Sequence, residues 1–244
     1  MIVAESIGFA ATHTITSILS DVPGCRVTHG SQNFETAGPI GSGSQTPEAF
    51  AASMAAAAEA GERPIAVHTN FDPRRLRPAC RDNGIRYALL IREPRAQVNS
   101  CYAWAVNKVL DGDDSTMLVA LKLALPVLPR IGVRASLPNL LYAYAINHVC
   151  SFNLVAVETG AQVLRMEDLL SDVDKFRAAF GLPDTVPLAH FEGEERRLAS
   201  HRAKAGVDAV AAPERDLLLE RFPVSAGGAE LTVPQITEVL GYAA

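Results

Sequence analysis

Short apolar runs alternate along the chain with longer stretches in which apolar residues return at helical spacing. This layout predicts an α/β protein with helices on both sides of a central, mainly parallel sheet. The strand-forming runs are residues 2–7, 26–28, 65–68, 87–91 and 162–165. Tyr87-Ala88-Leu89-Leu90-Ile91 is the clearest, an unbroken apolar run that stops at Arg92, as expected of a strand buried on both faces. Helical spacing covers residues 12–19, 47–60, 94–105, 118–128, 137–149, 172–180 and 213–221. Several of these carry their own boundary signals: Thr46 ahead of Pro47 is an N-cap, Gly61 a stop, and Pro94 a first-turn proline. Gly38-Pro39-Ile40-Gly41-Ser42-Gly43-Ser44 reads as a surface loop or lid, and Gly227-Gly228 as a turn. No internal repeat is evident, so one domain over 1–244 is the simplest organisation.

Composition narrows the function classes. With 244 residues, 48% hydrophobic and 20% charged, the chain can bury a sizeable core and is not disordered. A net charge of −5 argues against a broad nucleic-acid surface or a polybasic membrane patch, so an anionic ligand must be met by a local site. Cys25, Cys80, Cys101 and Cys150 are scattered, with no CxxC pair and no metal-ligand spacing, which predicts reduced thiols and no metal. The opening residues lack a basic region and an apolar leader, and the greasy stretch 117–128 is short and broken by Lys122 and Pro126. A cytoplasmic protein without a membrane span is expected.

Two constellations carry chemistry. The first strand meets the first helix at Gly8-Phe9-Ala10-Ala11-Thr12-His13-Thr14, where free backbone N–H groups and the helix dipole favour an anion. It is not a Walker A loop, because the second Gly and the Lys are missing, and such junctions are generic in α/β proteins. The second runs from the buried strand into Arg92-Glu93-Pro94-Arg95, with Ser100 eight positions after Arg92. An arginine at a strand mouth can fork onto a phosphate and a serine hydroxyl can hold another of its oxygens. On spacing alone, a capping arginine paired with Glu93 is an equal alternative.

Arg92-Glu93-Pro94-Arg95 followed by Ser100 and Tyr102 resembles the R-[DE]-P-R…S-x-Y segment of sulfotransferases that use 3′-phosphoadenosine 5′-phosphosulfate (PAPS). Val163-Leu164-Arg165-Met166-Glu167-Asp168-Leu169 resembles that family's V-x-Y-E-D-L strand end, and Phe180-Gly181-Leu182 follows as its F-G-L. The order of segments also agrees, and the likeness runs from about Ile2 to Phe222. The resemblance implies a three-layer, P-loop NTPase-like sulfotransferase fold. It implies transfer of a sulfuryl group from PAPS to a hydroxyl or amine of a small molecule or carbohydrate, leaving adenosine 3′,5′-bisphosphate, with no obligatory metal. It places the 3′-phosphate on Arg92 and Ser100, the 5′-phosphosulfate on Ala11, Thr12, His13 and Thr14, and a covering basic loop at Arg202 and Lys204. The donor turn departs from the family's [KR]-[ST]-G-T-T: neither register of Ala10-Ala11-Thr12-His13-Thr14 keeps the Gly or the basic residue. A non-catalytic nucleotide- or ligand-binding member of the fold is the alternative, with a P-loop-like small-molecule kinase as a further rival.

A base must take the acceptor's proton. His68, ending Ile65-Ala66-Val67-His68, resembles the K-x-H turn that supplies the family's histidine, although the Lys is absent. His29 closes the preceding strand and competes for the role, and His13, if protonated, adds a charge-assisted bond to the donor. Arg74, Arg75 and Arg77 fit a solvated helix face or an anion site, Trp104 core packing or an adenine stack. Glu167 and Asp168, adjacent in sequence, read as helix initiation rather than an acid/base pair. The long apolar helices would serve a hydrophobic acceptor, a homodimer surface or simply the core.

Overall fold

Parallel strands buried on both faces need continuous apolar runs, and the five runs read above all form strands of one sheet. The structure is a computed structural model describing residues 1–29, 46–188, 191, 209–226 and 228–242. In chain order the elements are β1 (Ile2–Glu5), α1 (Thr12–Ser20), β2 (Cys25–His29), α2 (Pro47–Glu59), β3 (Arg63–Val67), α3 (Pro73–Asp82) and β4 (Arg86–Ile91). They continue as α4 (Pro94–Leu110), α5 (Asp114–Ala124), a 3-10 turn at Leu128–Ile131, α6 (Leu137–Glu158), β5 (Gln162–Arg165), α7 (Met166–Ser171) and α8 (Val173–Phe180). The last described part holds α9 (Ala212–Arg221), β6 (Val224–Ala226), β7 (Ala229–Leu231) and α10 (Val233–Val239). Contacts divide the chain into two compact units, residues 1–92 with 156–199 and residues 93–155 with 200–244.

The first unit is the α/β layer. Its strands lie in the order β2-β3-β1-β4-β5, every neighbouring pair parallel. Side chains of β1 alternate between two cores, as the strand period of two requires. Ile2 and Ala4 pack with Ile15 and Leu19 of α1, Leu169 of α7 and Phe176 of α8. Val3 packs with Phe50 and Met54 of α2 and with Leu76 and Cys80 of α3. The connection from β1 runs outward to β2 through α1, whereas those through α2 and α3 run back across the sheet. Right-handed crossovers in opposite directions place their helices on opposite faces, which is the distribution seen. β1 therefore sits where helices depart to opposite sides.

The second unit, among its described residues, is mainly helical. Asn99 of α4 accepts a 2.7 Å hydrogen bond from the Tyr142 hydroxyl of α6, and Gln97 accepts one of 3.1 Å from Asn153. Arg134 pairs with Glu214 of α9 at 3.0 Å. Glu93 caps α4 by accepting from the Arg95 and Ala96 N–H groups, and Asp113 caps α5 in the same way. The helix expected at 118–128 starts earlier because Asp113 is a strong cap, and it ends at Ala124 ahead of Pro126. α6 runs on to Glu158, well past the expected stop at 149. It is long and apolar enough to cross a membrane by length and composition, with 67% of its most apolar window buried within the protein. Gly228, at φ +87°, lies between the antiparallel strands β6 and β7, and Gly227 of the expected turn lies outside the described residues.

Candidate functional site

β1 ends at Glu5, two residues short of the apolar run, because Ser6 turns the chain. The Ser6 hydroxyl accepts from the Gly8 N–H at 3.1 Å, and Gly8 adopts φ +94°, which a glycine tolerates without a Cβ penalty. Phe9 and Ala11 also lie in the left-handed region, at φ 63° and 53°. The chain then enters α1 at Thr12 with no side chain capping the helix and no acidic residue in its first turn. The positive dipole end of the helix is thus offset neither by a side-chain cap nor by a first-turn carboxylate. Of the expected donor-turn residues, Ala11 is the cap residue, Thr12 is buried, Thr14 half-buried and His13 exposed.

β3 ends beside this turn. The His68 N–H extends the ladder by donating to Ala4 O at 3.1 Å, and the residue then turns left-handed at φ 58°. Its imidazole Nδ1 is 2.6 Å from the Ser6 carbonyl oxygen, so Nδ1 carries the proton and donates it there. Nε2 is left as the nitrogen able to accept a proton. A Cβ placed on Gly8 would lie 3.7 Å from His68 Cε1, which shows how closely the two turns approach. Burial lowers the pKa of His68, the Ser6 hydrogen bond opposes that, and the neighbouring His13 adds to it.

The strand end on the other side of β3 supplies His29. Its Nε2 lies 2.9 Å from Thr12 Oγ1, its ring centroid 4.0 Å from that of His13 and 5.4 Å from that of His68. Burial, then the charges of His13 and His68, push its pKa down to about 4. The structure therefore brings together His68 and His29, the competing bases, with His13 of the donor turn. Among the described residues, no group of three or more His, Cys, Asp or Glu could hold a metal ion.

One participant was not anticipated. Glu5 is fully buried beneath the turns, with its carboxylate accepting from the Ser6 N–H at 3.0 Å and the Thr69 N–H at 2.8 Å. The Thr69 hydroxyl also donates to it. Burial outweighs these hydrogen bonds and pushes its pKa up to about 7. A carboxylate closing the apolar run Ile2-Val3-Ala4-Glu5 just ahead of a Ser-x-Gly turn was the signal available in the sequence.

β4, on the far side of β1, delivers Arg92 directly after Ile91, half-buried. Among the described residues none hydrogen-bonds or pairs with its guanidinium, and Glu93 spends its carboxylate on capping α4 instead. Ser100 is buried on α4. Arg202, Lys204 and the loop at 38–44 lie outside the described residues. The basic cluster on α3 is committed elsewhere. Arg75 meets Glu48 at 3.1 Å, Arg74 meets Glu158 at 3.8 Å, and Arg77 donates to the Gly160 carbonyl at 3.1 Å. Trp104 is half-buried rather than core, parallel to His148 at 6.3 Å with Lys108 Nζ 5.7 Å from its ring. It borders a cavity of about 380 Å³ at the turn between α4 and α5. Glu167 and Asp168 open α7, as helix initiation requires.

No family model and no curated protein matches the chain. Among solved structures, it is similar to a crystal structure of mouse sulfotransferase SULT7A1 complexed with PAP, at 15% identity and a TM-score of 0.38. The match covers 75% of this chain, which spans 59% of the length of that protein.

Proposed function

We propose that the chain transfers a sulfuryl group from PAPS to a hydroxyl or amine of a small molecule or carbohydrate. The observation that carries this reading is the strand order: β3, β1 and β4 are adjacent, so His68, the turn into α1, and Arg92 emerge side by side at the carboxyl edge of the sheet. Neighbouring strands are ~4.8 Å apart, so three strand ends span about 10 Å. Open α/β sheets bind ligands at this edge where helices depart to opposite faces. The uncapped start of α1 and the Arg92 guanidinium are the two groups there suited to phosphate.

Bound PAPS supplies an activated sulfonate, whose sulfur–oxygen bond to the 5′-phosphate breaks as the acceptor's oxygen or nitrogen bonds to sulfur. Ala11, Thr12, His13 and Thr14 hold the 5′-phosphosulfate through backbone N–H, hydroxyl and imidazole groups. Arg92, at the mouth of β4, holds the 3′-phosphate. Nε2 of His68 takes the acceptor's proton, since Nδ1 is already committed to Ser6. The donor turn has no lysine or arginine, and His29 beside it, with its pKa pushed down to about 4, adds no positive charge near neutral pH, so donor binding is weaker than a lysine-bearing loop would give.

Adenosine 3′,5′-bisphosphate should raise the thermal midpoint of the purified protein, and Arg92→Ala should abolish the rise. No rise in wild type at saturating nucleotide removes the donor assignment. The Ala10-Ala11 pair favours the second reading, a binding protein without catalysis. Mass spectrometry across an acceptor panel separates the two, because only the enzyme adds the mass of a sulfuryl group.

A further inference from the structure

We propose that Glu5 is a positioning residue for His68: its carboxyl clips the turn carrying the imidazole to the turn leaving β1, and so keeps Nε2 the free nitrogen beside Gly8. This inference rests on the reading of His68 as the proton acceptor. The two turns lie more than sixty positions apart in sequence, and Glu5 donates to neither; both donate to it. Ser6 N–H comes from one side, and Thr69 N–H and the Thr69 hydroxyl from the other. Three donors converge on a group that, when ionised, offers about four lone-pair sites and no proton. The carboxylate is therefore matched to both turns at once.

The clip acts on the imidazole at both ends of its anchorage. The peptide joining His68 to Thr69 is fixed through the Thr69 N–H, and this helps hold His68 at φ 58°, a conformation uncommon for residues other than glycine. Ser6, whose carbonyl accepts the Nδ1 proton, is fixed through its own N–H on Glu5 and its hydroxyl under Gly8. Loosening the carboxyl frees the residue bearing the ring and the residue bearing its acceptor. The imidazole then samples the other tautomer, in which Nε2 carries the proton and can accept none. Nothing else in the described part of the site makes use of a wholly buried carboxyl, and the burial that pushes Glu5 up to about 7 is a cost that the fold carries there.

The test is the tautomer itself, read by ¹⁵N NMR of the His68 ring in wild type, Glu5→Gln and Thr69→Val. A glutamine turns one acceptor into an NH₂ donor facing donors, and valine removes one hydroxyl donor while keeping the side-chain shape. Wild type should show the Nδ1–H form, and both variants should shift toward a tautomer average, Glu5→Gln further. In active protein, kcat should fall about tenfold or more with donor KM little changed. An unchanged His68 tautomer in the folded variants overturns the clip, even if the enzyme transfers sulfate. If Glu5→Gln does not fold, Thr69→Val decides alone. Wild type that adds no sulfate to any acceptor removes the catalytic reading instead, and the ring spectra still decide the clip.

Discussion

His29 Nε2 lies 2.9 Å from Oγ1 of Thr12, joining the end of β2 to the first residue of α1 across seventeen positions of sequence. The contact places an imidazole against the helix start that would receive the sulfonate. It also puts three histidines within one cluster, where protonating one opposes protonating the next.

His29 should therefore titrate near pH 4 by NMR, and His13→Ala should move that midpoint upward by removing a neighbouring positive charge. Its folded pKa lies below the ordinary 6.5, so the unfolded chain binds the proton first as pH falls. Stability from this residue is complete above 6.5 and drains away as pH drops toward 4. His29→Gln should flatten that part of the acid-denaturation profile; an unaltered profile would assign the acid sensitivity elsewhere.

Glu5 slopes the other way. Its folded pKa of about 7 exceeds the ordinary 4.5, so below 4.5 both states are protonated and above 7 the fold carries a buried charge. Stability should decline as pH rises through that window, by at most about 3 kcal/mol. Urea unfolding at pH 5 and pH 8 checks this: the difference between Glu5→Gln and wild type should move in the variant's favour at the higher pH.

Gly8→Ala should destabilise the fold by about 1–2 kcal/mol. The cause is backbone strain at φ +94°, because the new Cβ would meet His68 only at ordinary contact distance, 3.7 Å. Chemical denaturation measures the loss. A cost below a few tenths of a kcal/mol would mean that the turn relaxes into another conformation.

Glu93→Ala should cost about 1 kcal/mol through loss of the α4 cap. The thermal shift with adenosine 3′,5′-bisphosphate should survive in this variant, because Glu93 serves the helix and not Arg92. A shift that disappears along with the carboxylate would instead make Glu93 part of the arginine's environment.

Legibility followed how local each signal was. The run Tyr87 to Ile91 read as a buried strand because both faces of β4 are covered, and Thr46-Pro47 marked the start of α2 because capping involves only adjacent backbone. α3 went unmarked as an element. Pro73 and Pro78 look like breakers and its exposed face is crowded with arginines, yet Pro73 occupies the first turn and Leu76, Ala79 and Cys80 give it a buried stripe. The hairpin strands β6 and β7 are three residues each, too short to show a period. At the site, His68, His29 and His13 were visible as separate candidates. Glu5 gives no such sign, because a single acid at a strand end carries no periodicity and its partners are remote in sequence.

The order of amino acids settled what neighbouring residues decide among themselves: which segments bury two faces, where proline and glycine begin or end a helix, and that Gly8 can turn sharply. Folding in three dimensions settled which strand lies beside which, and so which side chains share an edge. That His68 meets Ser6 and that Glu5 meets Thr69 follow from β3 lying beside β1, and that His29 meets Thr12 from β2 lying just beyond β3. The physical reason is that crossover direction and helix placement are fixed by packing both faces of the sheet at once, a condition that no local stretch of sequence contains.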